Sequence, residues 1–204
     1  MTQQHLTDDC WQHVFSFLDP KQDVLTVKRV CKQWNRVGYF AFDPSVDNNY
    51  PIRLASFYGH TEVVKLLLKD GRADPTAGDN EAIRWASTRG HTGVVRLLLE
   101  DKRVDPTAKN NWAIQWASTR GHTEVVKLLL EDKRVDPTTD DNDAIRWASG
   151  NGHTGVVKLL LKDGRADPTA EDNWSIRWAS ENEHIKVVRL LLEDGRADPT
   201  AIKR

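Results

Sequence analysis

The feature that most constrains this chain is a unit of 31 residues that recurs from Asp43 nearly to the C-terminus. An Asp-Pro pair begins each unit. A fixed period of this length is the signature of a solenoid, in which each unit buries its apolar face only by stacking on its neighbours. We therefore predict one array over residues 43–204. Its units are 43–73, 74–104, 105–135, 136–166 and 167–197, followed by a stub at 198–204.

Each unit carries two apolar stretches whose spacing predicts two helices, although a buried strand remains an alternative for the short second stretch. An Asn before the first stretch is expected to cap its helix, and a Gly after it to adopt the left-handed conformation. A Thr before Val-Val-(Lys/Arg)-Leu-Leu-Leu is expected to cap the second helix. These residues are Asn49, Asn80, Asn111, Asn142 and Asn173; Gly59, Gly90, Gly121 and Gly152, with Glu183 in the last unit; and Thr61, Thr92, Thr123 and Thr154.

The end of the second helix has Gly in three units and Lys in two. Gly71, Gly164 and Gly195 share this place with Lys102 and Lys133. A left-handed backbone there would strain a Lys by about 1 to 2 kcal/mol. If every unit has that backbone, Lys102→Gly should stabilise the chain.

Two helices followed by an Asp-Pro loop, with Gly-His-Thr-Glu-Val-Val-Lys-Leu-Leu-Leu at 121–130, resemble the ankyrin repeat. The resemblance covers residues 43–197 and implies an all-α solenoid of five helix-turn-helix repeats. The family's Thr-Pro-Leu-His appears here as Glu81-Ala82-Ile83-Arg84 and similar, and the period is shorter than the usual 33 residues. We expect the loss to fall between Asp-Pro and the first helix, leaving little or no β-hairpin.

Residues 1–42 lack the repeat and predict short helices of a different kind. Trp11, Val14, Phe15 and Leu18 form one apolar stripe, and helical spacing resumes after Asp19-Pro20. So short a segment carries more apolar face than it can bury within itself. It needs a partner, which is either the first repeat or another protein.

This N-terminal segment resembles an F-box over roughly residues 5–40. The matching pieces are Leu6-Thr7-Asp8-Asp9, Val14-Phe15-Ser16-Phe17-Leu18, Asp19-Pro20-Lys21 and Val30-Cys31-Lys32-Gln33-Trp34. The resemblance implies docking on the Skp adaptor of a cullin-RING ubiquitin ligase, while the following domain holds the protein to be ubiquitinated. The apolar residues that would face the adaptor, or support that face, are Leu6, Phe15, Leu18, Val24, Val30 and Trp34.

Composition argues against several classes of protein. The 29 basic and 30 acidic residues leave no electrostatic footprint for nucleic acid. No secretion signal and no long apolar run are present, so we expect no membrane insertion. Cys10 and Cys31 have no metal-ligand companions nearby, which favours a reduced intracellular protein, cytoplasmic or nuclear. We expect a monomer without a cofactor.

The repeating polar residues predict structure rather than catalysis. His60, His91, His122, His153 and His184 form a ladder whose members lie too far apart to share a zinc ion. The Arg residues near the repeating Asp are expected to be solvated or paired charges; they are Arg72, Arg103, Arg134, Arg165 and Arg196. No convergent polar cluster follows from this arrangement, so we predict neither a catalytic nor a metal site.

Two classes of Trp are distinguished by how much their places vary between units. Trp85, Trp116, Trp147 and Trp178 recur, which predicts a core position. Trp112 and Trp174 share their place with Glu81 and Asp143, which predicts exposure. The two residues after Ala-Ser also vary, and by resemblance to ankyrin arrays both places border the partner-binding face. The predicted target-binding residues are Tyr50, Phe57, Tyr58, Arg89, Trp112, Arg120 and Trp174.

The function expected from these features is a substrate-recognition subunit of an SCF-type ubiquitin ligase. It would bind an unidentified target through the repeats and the Skp adaptor through the F-box. The alternative is a non-catalytic scaffold or inhibitor whose N-terminal helices only cap the array. Such regular Trp-bearing repeats behind an F-box also resemble proteins of large DNA viruses, which would act in the cytoplasm of a host cell.

Overall fold

The computed structural model describes residues 45–202. In this part of the chain ten α-helices follow one another in pairs, one pair to a repeat, with no strand. The predicted all-α array is confirmed. The helices are α1 (Val46–Tyr58), α2 (Thr61–Asp70), α3 (Ala77–Arg89), α4 (Thr92–Glu100), α5 (Ala108–Thr119), α6 (Thr123–Glu131), α7 (Thr139–Gly150), α8 (Thr154–Asp163), α9 (Ala170–Glu181) and α10 (Ile185–Asp194), and a short 3₁₀ helix covers Pro199–Ala201.

The helices form two layers. The first helices of the repeats stack on one another in the order α1, α3, α5, α7, α9, and the second helices stack beside them from α2 to α10. The core lies between the layers and runs without interruption along the array. Its largest fully buried side chains include one Ile from each first helix and one Leu from most second helices. They include Ile52, Ile83, Ile114, Ile145, Ile176, Leu98, Leu129, Leu160 and Leu191.

The recurring Trp does not belong to this core, so the prediction of a buried Trp was wrong. Trp147 is 43% exposed and Trp178 is 41% exposed, whereas Ile145 and Ile176 are fully buried. Two residues along an α-helix turn the side chain by about 200°. The Ile and the Trp therefore point to opposite sides, and the Ile with its neighbouring Ala residues fills the space between the layers.

The first helix of every repeat opens with three residues in the left-handed conformation. In α3 these are Gly78, Asp79 and Asn80, with φ of 64°, 57° and 59°. Gly, Asn and Asp tolerate this backbone best. Over the five repeats only Lys109 and Glu171 are of another type. The short sequence between Asp-Pro and the helix is thus built for one tight turn, and the expected absence of a hairpin is confirmed within residues 45–202.

The repeating Asn ends this left-handed turn, and its predicted role as a helix cap was wrong. Its side-chain Oδ1 instead accepts a hydrogen bond from the backbone N–H of the Asp that begins the next repeat. We call this the Asn–Asp bond. It measures 2.7 Å from Asp74 to Asn49, and it recurs at 2.8 to 2.9 Å as Asp105 to Asn80, Asp136 to Asn111, Asp167 to Asn142 and Asp198 to Asn173.

The Arg that replaces the family's His also supports the left-handed turn. Arg84 donates from Nη2 to the carbonyl of Gly78 at 2.9 Å and from Nε to that of Asp79 at 3.0 Å. Gln115 donates in the same way to the carbonyl of Asn110 at 3.0 Å. The departure from the family's usual motif therefore provides a donor for carbonyls that the turn leaves outside the helical ladder.

The first helices end as predicted, in a left-handed Gly. Gly59, Gly90, Gly121 and Gly152 have φ of 75° to 78°, and Glu183 adopts 58° in the last repeat. The following Thr does not cap the second helix, contrary to prediction. Thr61 is already the first helical residue and makes no capping hydrogen bond to the helix. Its hydroxyl lies 3.5 Å from the carbonyl of Gly59.

The second helices end in two different turns, according to whether Gly or Lys is present. Gly71, Gly164 and Gly195 are left-handed, with φ of 79° to 83°, whereas neither Lys102 nor Lys133 has positive φ. In the Lys repeats the helix ends one residue earlier, and the Val104 N–H donates to the carbonyl of Asp101 at 3.0 Å. The Lys backbone is unstrained, so the premise for stabilisation by Lys102→Gly does not hold.

We expect Ile145→Ala to destabilise the array by about 2 to 5 kcal/mol, because it leaves a cavity in the core. Trp147→Ala, two residues away, should cost only about 0.5 to 1 kcal/mol because the ring is nearly half exposed. Urea titration of both variants measures the difference. Equal midpoints would contradict the assignment of Ile as the core residue.

The Asn–Asp bond is tested at Asn111, which is buried and left-handed. Asn111→Ala should lower the free energy of unfolding by about 2 to 4 kcal/mol, because it leaves the Asp136 N–H without its acceptor. It also places Ala in a left-handed backbone, which Ala tolerates less well than Asn does. Asn111→Asp keeps the acceptor oxygen and tolerates the same backbone, so its cost should be clearly smaller. Equal losses in urea titrations of the two variants would show that the side-chain oxygen contributes nothing.

Candidate target-binding face

The side of the first-helix layer that faces away from the core carries a row of aromatic rings, which we call the aromatic stripe. Its members lie on α1, α3, α5, α7 and α9 and have exposures from half-buried to exposed. They include the recurring Trp of the second to fifth repeats, which the sequence analysis had predicted to lie in the core. The aromatic stripe consists of Phe57, Tyr58, Trp85, Trp112, Trp116, Trp147, Trp174 and Trp178.

The first part of the aromatic stripe gathers three of the predicted target-binding residues. Phe57 packs edge-on against Tyr58 at 5.0 Å and against Trp85 of the next repeat at 5.5 Å. The guanidinium of Arg89 lies 3.9 Å from the centre of the Phe57 ring, a cation–π contact. Tyr58 is 46% exposed. This group presents aromatic surface with a positive charge on it.

The middle of the aromatic stripe repeats this combination of ring and guanidinium. Trp112 and Trp116 lie 5.4 Å apart on α5. Arg84 from the preceding repeat lies 5.5 Å from the Trp112 ring, and Arg120 lies 5.9 Å from the Trp116 ring. Trp112 and Arg120, both predicted for target binding, therefore share one surface with Trp116.

The last part of the aromatic stripe is a cluster of three indoles with an open pocket. Trp174 stacks on Trp178 at 5.1 Å and meets Trp147 of the preceding repeat at 5.2 Å and a steep angle. The pocket has a volume of about 460 Å³. Besides these rings it is lined by Gly150, Asn151, Asn182 and His184.

The other predicted site residues lie elsewhere. Tyr50 is partly buried and packs against the core instead of joining the aromatic stripe. The predicted adaptor-binding residues Leu6, Phe15, Leu18, Val24, Val30 and Trp34 lie outside the described residues. The sequence analysis missed Trp85, Trp116, Trp147 and Trp178 as surface residues. The signal was the Ile that recurs two residues before each of them, since one large apolar side chain per helix already suffices for the core.

The loops on the other side of the repeats carry paired charges, as predicted. Arg103 forms a two-point ion pair with Asp101, at 2.7 and 3.0 Å, and donates to the carbonyl of Ala73 in the preceding repeat at 3.4 Å. The hydrogen bond from Arg103 holds the pKa of the Asp101 carboxyl below its usual range. Equivalent Arg-Asp pairs recur at the end of every second helix. The pairs are Arg72–Asp70, Arg103–Asp101, Arg134–Asp132, Arg165–Asp163 and Arg196–Asp194.

The His ladder links successive repeats, which confirms its predicted structural role. The ring of His91 covers Gly59, where a Cβ would come within 2.5 Å of Nδ1. Its Nε2 lies 3.0 Å from the carbonyl of Phe57. A carbonyl can only accept, so Nε2 carries the proton. The same contact recurs as His122 to Thr88, His153 to Thr119 and His184 to Gly150.

Two of these imidazoles resist protonation. Burial, assisted by the charges of Arg89 and His122, holds the pKa of His91 below the ordinary 6.5, although its hydrogen bond to Phe57 opposes this. Burial and the neighbouring His91 lower the pKa of His60 in the same way.

Within residues 45–202, no group of three His, Cys, Asp or Glu side chains is placed to hold a metal ion. No helix in this part of the chain is long and apolar enough to span a membrane.

Comparison with known protein families agrees with the helical repeat array described above. A family model described as ankyrin repeats (three copies) matches residues 26–110 and 114–203. A second model, described as F-box-like, matches residues 8–43. No curated protein matches the chain, so the resemblance to proteins of large DNA viruses gains no support from a relative.

The lowered pKa values of His60 and His91 predict a loss of stability in mild acid. The unfolded chain binds protons at these residues below about pH 6.5, whereas the folded chain resists them, so the stabilisation is present above 6.5 and falls with pH. The urea midpoint should therefore decrease from about pH 7.5 to about pH 5.5. The variant His60→Gln with His91→Gln should show a smaller decrease. An equal decrease would contradict the assignment to these two residues.

Proposed function

Because the chain belongs to the ankyrin-repeat family and carries an F-box-like segment ahead of its repeats, we propose that it is the substrate-recognition subunit of an SCF-type ubiquitin ligase. Both modules mediate protein–protein interaction, and their combination in one chain makes it an adaptor between two partners. The observation that carries the proposal is the F-box-like match at residues 8–43, directly before the array. An ankyrin array alone would support no more than a binding protein.

In this proposal the N-terminal segment binds the Skp adaptor. The apolar side chains that dock there, or support the docking face, are Leu6, Phe15, Leu18, Val24, Val30 and Trp34. The two family matches share residues 26–43. We place the boundary between residues 42 and 43, because the 31-residue period begins with Asp43.

The target in turn binds to the aromatic stripe. Exposed Trp and Tyr, with Arg beside them, are the residue types most often found as hot spots in protein interfaces. Trp112 and Trp174, which are partly buried and not exposed as predicted, contribute together with the recurring Trp of the second to fifth repeats. Phe57, Tyr58, Arg89 and Arg120 complete this surface, whereas Tyr50 packs against the core. The chain acts as a monomer, needs no cofactor and contributes no catalytic group.

This function requires a compartment that contains a cullin-RING ligase, which is the cytoplasm or the nucleus. If the chain comes from a large DNA virus, as the repeat pattern suggests, both the ligase and the target would belong to the host cell. Target degradation would then depend on the repeats for selection and on the host for catalysis.

The proposal is tested by Leu18→Asp in the full chain. A charge placed in a desolvated apolar interface is costly, so this change should abolish co-purification of the Skp adaptor. Leu192→Asp is the matched control, because Leu192 is 40% exposed on α10 at the far end of the array. That variant should retain the adaptor, and both variants should retain the target.

The alternative function predicts a different result. If the N-terminal helices only cap the first repeat, the native chain brings down no Skp adaptor, and Leu18→Asp lowers the urea midpoint of the array instead. Failure of the native chain to bring down the Skp adaptor would overturn the proposed ligase function, and a lowered urea midpoint of Leu18→Asp together with that failure would favour a non-catalytic scaffold or inhibitor.

A further inference from the structure

The aromatic stripe changes character halfway along the array. Four residues after the recurring Trp, the second and third repeats have Arg89 and Arg120, while the fourth and fifth have Asn151 and Asn182. Residues four apart in a helix lie on one face. Arg120 covers Trp116 of its own repeat, and Arg89 covers Phe57 of the preceding repeat.

The Asn residues leave the later rings without such a cover. Within residues 45–202, no guanidinium lies over the ring of Trp147 or Trp178; Arg146 lies over Trp174, 5.7 Å from its centre. Trp147 and Trp178 are also the Trp side chains that the structure leaves most exposed, at 43% and 41%. Two indole faces are thus open here, whereas Trp116 at the same place in the third repeat is covered by Arg120.

The arrangement of these rings around the pocket depends on a Gly, which has no side chain. Gly150 is buried and stands where the second and third repeats have Thr88 and Thr119. A Cβ at Gly150 would come within 3.0 Å of the Trp174 ring. A side chain at residue 150 would therefore push Trp174 away, and the Gly allows this ring to pack against both Trp147 and Trp178.

The rim of the pocket offers hydrogen-bond acceptors. Asn182 donates from Nδ2 to the carbonyls of Gly150 at 3.2 Å and Trp178 at 3.0 Å. Asn151 donates from Nδ2 to the carbonyl of Thr119 at 3.1 Å. Both amide nitrogens are thereby fixed, and each Oδ1 has no partner among residues 45–202. The pocket presents π faces and carbonyl oxygens, which are the groups that accept a cation.

The charge around the pocket is negative, as a site for a cation requires. The first-helix segments 77–90 and 108–121 carry four basic residues and two acidic ones. The segments 139–152 and 170–183 carry only Arg146 and Arg177 as basic residues against seven carboxylates. These carboxylates are Asp140, Asp141, Asp143, Glu171, Asp172, Glu181 and Glu183. Such an excess attracts a positively charged partner to this half of the array.

We propose that the pocket takes a basic side chain, Arg or Lys, from the target protein. The proposal rests on the function above and specifies it, since it names the chemistry of the segment that the repeats select. The incoming cation lies over Trp147 and Trp178 as Arg120 lies over Trp116, and donates to Oδ1 of Asn151 and Asn182. A target segment rich in carboxylates is rejected by the acidic surroundings.

The first test uses the blocked peptide Gly-Arg-Gly-Arg-Gly, titrated into the full ¹⁵N-labelled chain. The indole N–H signals of Trp147 and Trp178 should shift, and that of Trp85 should not. The Lys version of the peptide shows whether either cation suffices. A version with the neutral Arg analogue citrulline should bind roughly tenfold more weakly or worse, because it loses the cation–π attraction. Added salt should weaken the Arg peptide.

Two variants test the pocket by different means. Asn151→Arg with Asn182→Arg restores the residues of the earlier repeats and fills the site, so affinity should fall by about tenfold or more. Gly150→Thr adds no charge but displaces Trp174, and should have the same effect. Unchanged urea midpoints confirm that the variants fold. Lys127→Asn is the control, because Lys127 is exposed on α6 in the second-helix layer, outside the aromatic stripe, and this variant should bind the peptide normally.

The proposal is overturned if the citrulline peptide binds as well as the Arg peptide, or if both pocket variants keep native affinity. Better binding of Gly-Glu-Gly-Glu-Gly would overturn it too. Skp co-purification, measured on the same variants, separates this result from the proposed function. Peptide binding without the adaptor removes the ligase function and keeps the pocket, whereas an adaptor without peptide binding does the reverse.

Discussion

Each repeat of this chain is joined to the next by the hydrogen bond between an Asn side chain and the backbone N–H of the following Asp. The bond works only because Asn111, or its equivalents, and the two residues before it turn left-handed and bring the Asn amide to the Asp-Pro loop. That loop is fixed in turn by Asp136, whose carboxylate accepts from the backbone and hydroxyl of Thr138 at 2.9 and 2.8 Å. The left-handed turn and the shortened period therefore belong together, because the turn sets the distance at which the next first helix begins.

The core uses only a few side chains of each first helix, which leaves the other side chains available for binding. One Ile and one or two Ala residues from each first helix suffice to fill the space against the Val and Leu side chains of the second helix. The Trp two residues later is then free to lie outside, with its ring against a neighbouring side chain. The array thus maintains its stability and its binding surface on opposite sides of the same short helices, and either can change without the other.

Much of the fold followed from the sequence, since the 31-residue period and the Gly at the end of the first helix each have one simple physical interpretation. The residues whose role was predicted wrongly were those with two possible physical interpretations. Asn can cap a helix or adopt a left-handed turn, and only the structure shows that Asn49 accepts from Asp74, 25 residues away. A recurring Trp can be core or surface, and the choice depends on whether Ile145 already fills the space. The pocket at Gly150 depends on an absent side chain, which no local pattern reveals.

The hydrogen bonds that join the repeats have a mechanical consequence. The Asn–Asp bond, the His contact and the bond from Arg103 to Ala73 reach only into the adjacent unit, and none links units that are not neighbours. A pulling force applied between the ends of the array therefore meets a chain of similar links in series. The array should lengthen in steps, one repeat at a time, and recoil by the same route. A target held on the aromatic stripe across several repeats would act as a splint, resisting extension over the units that it covers.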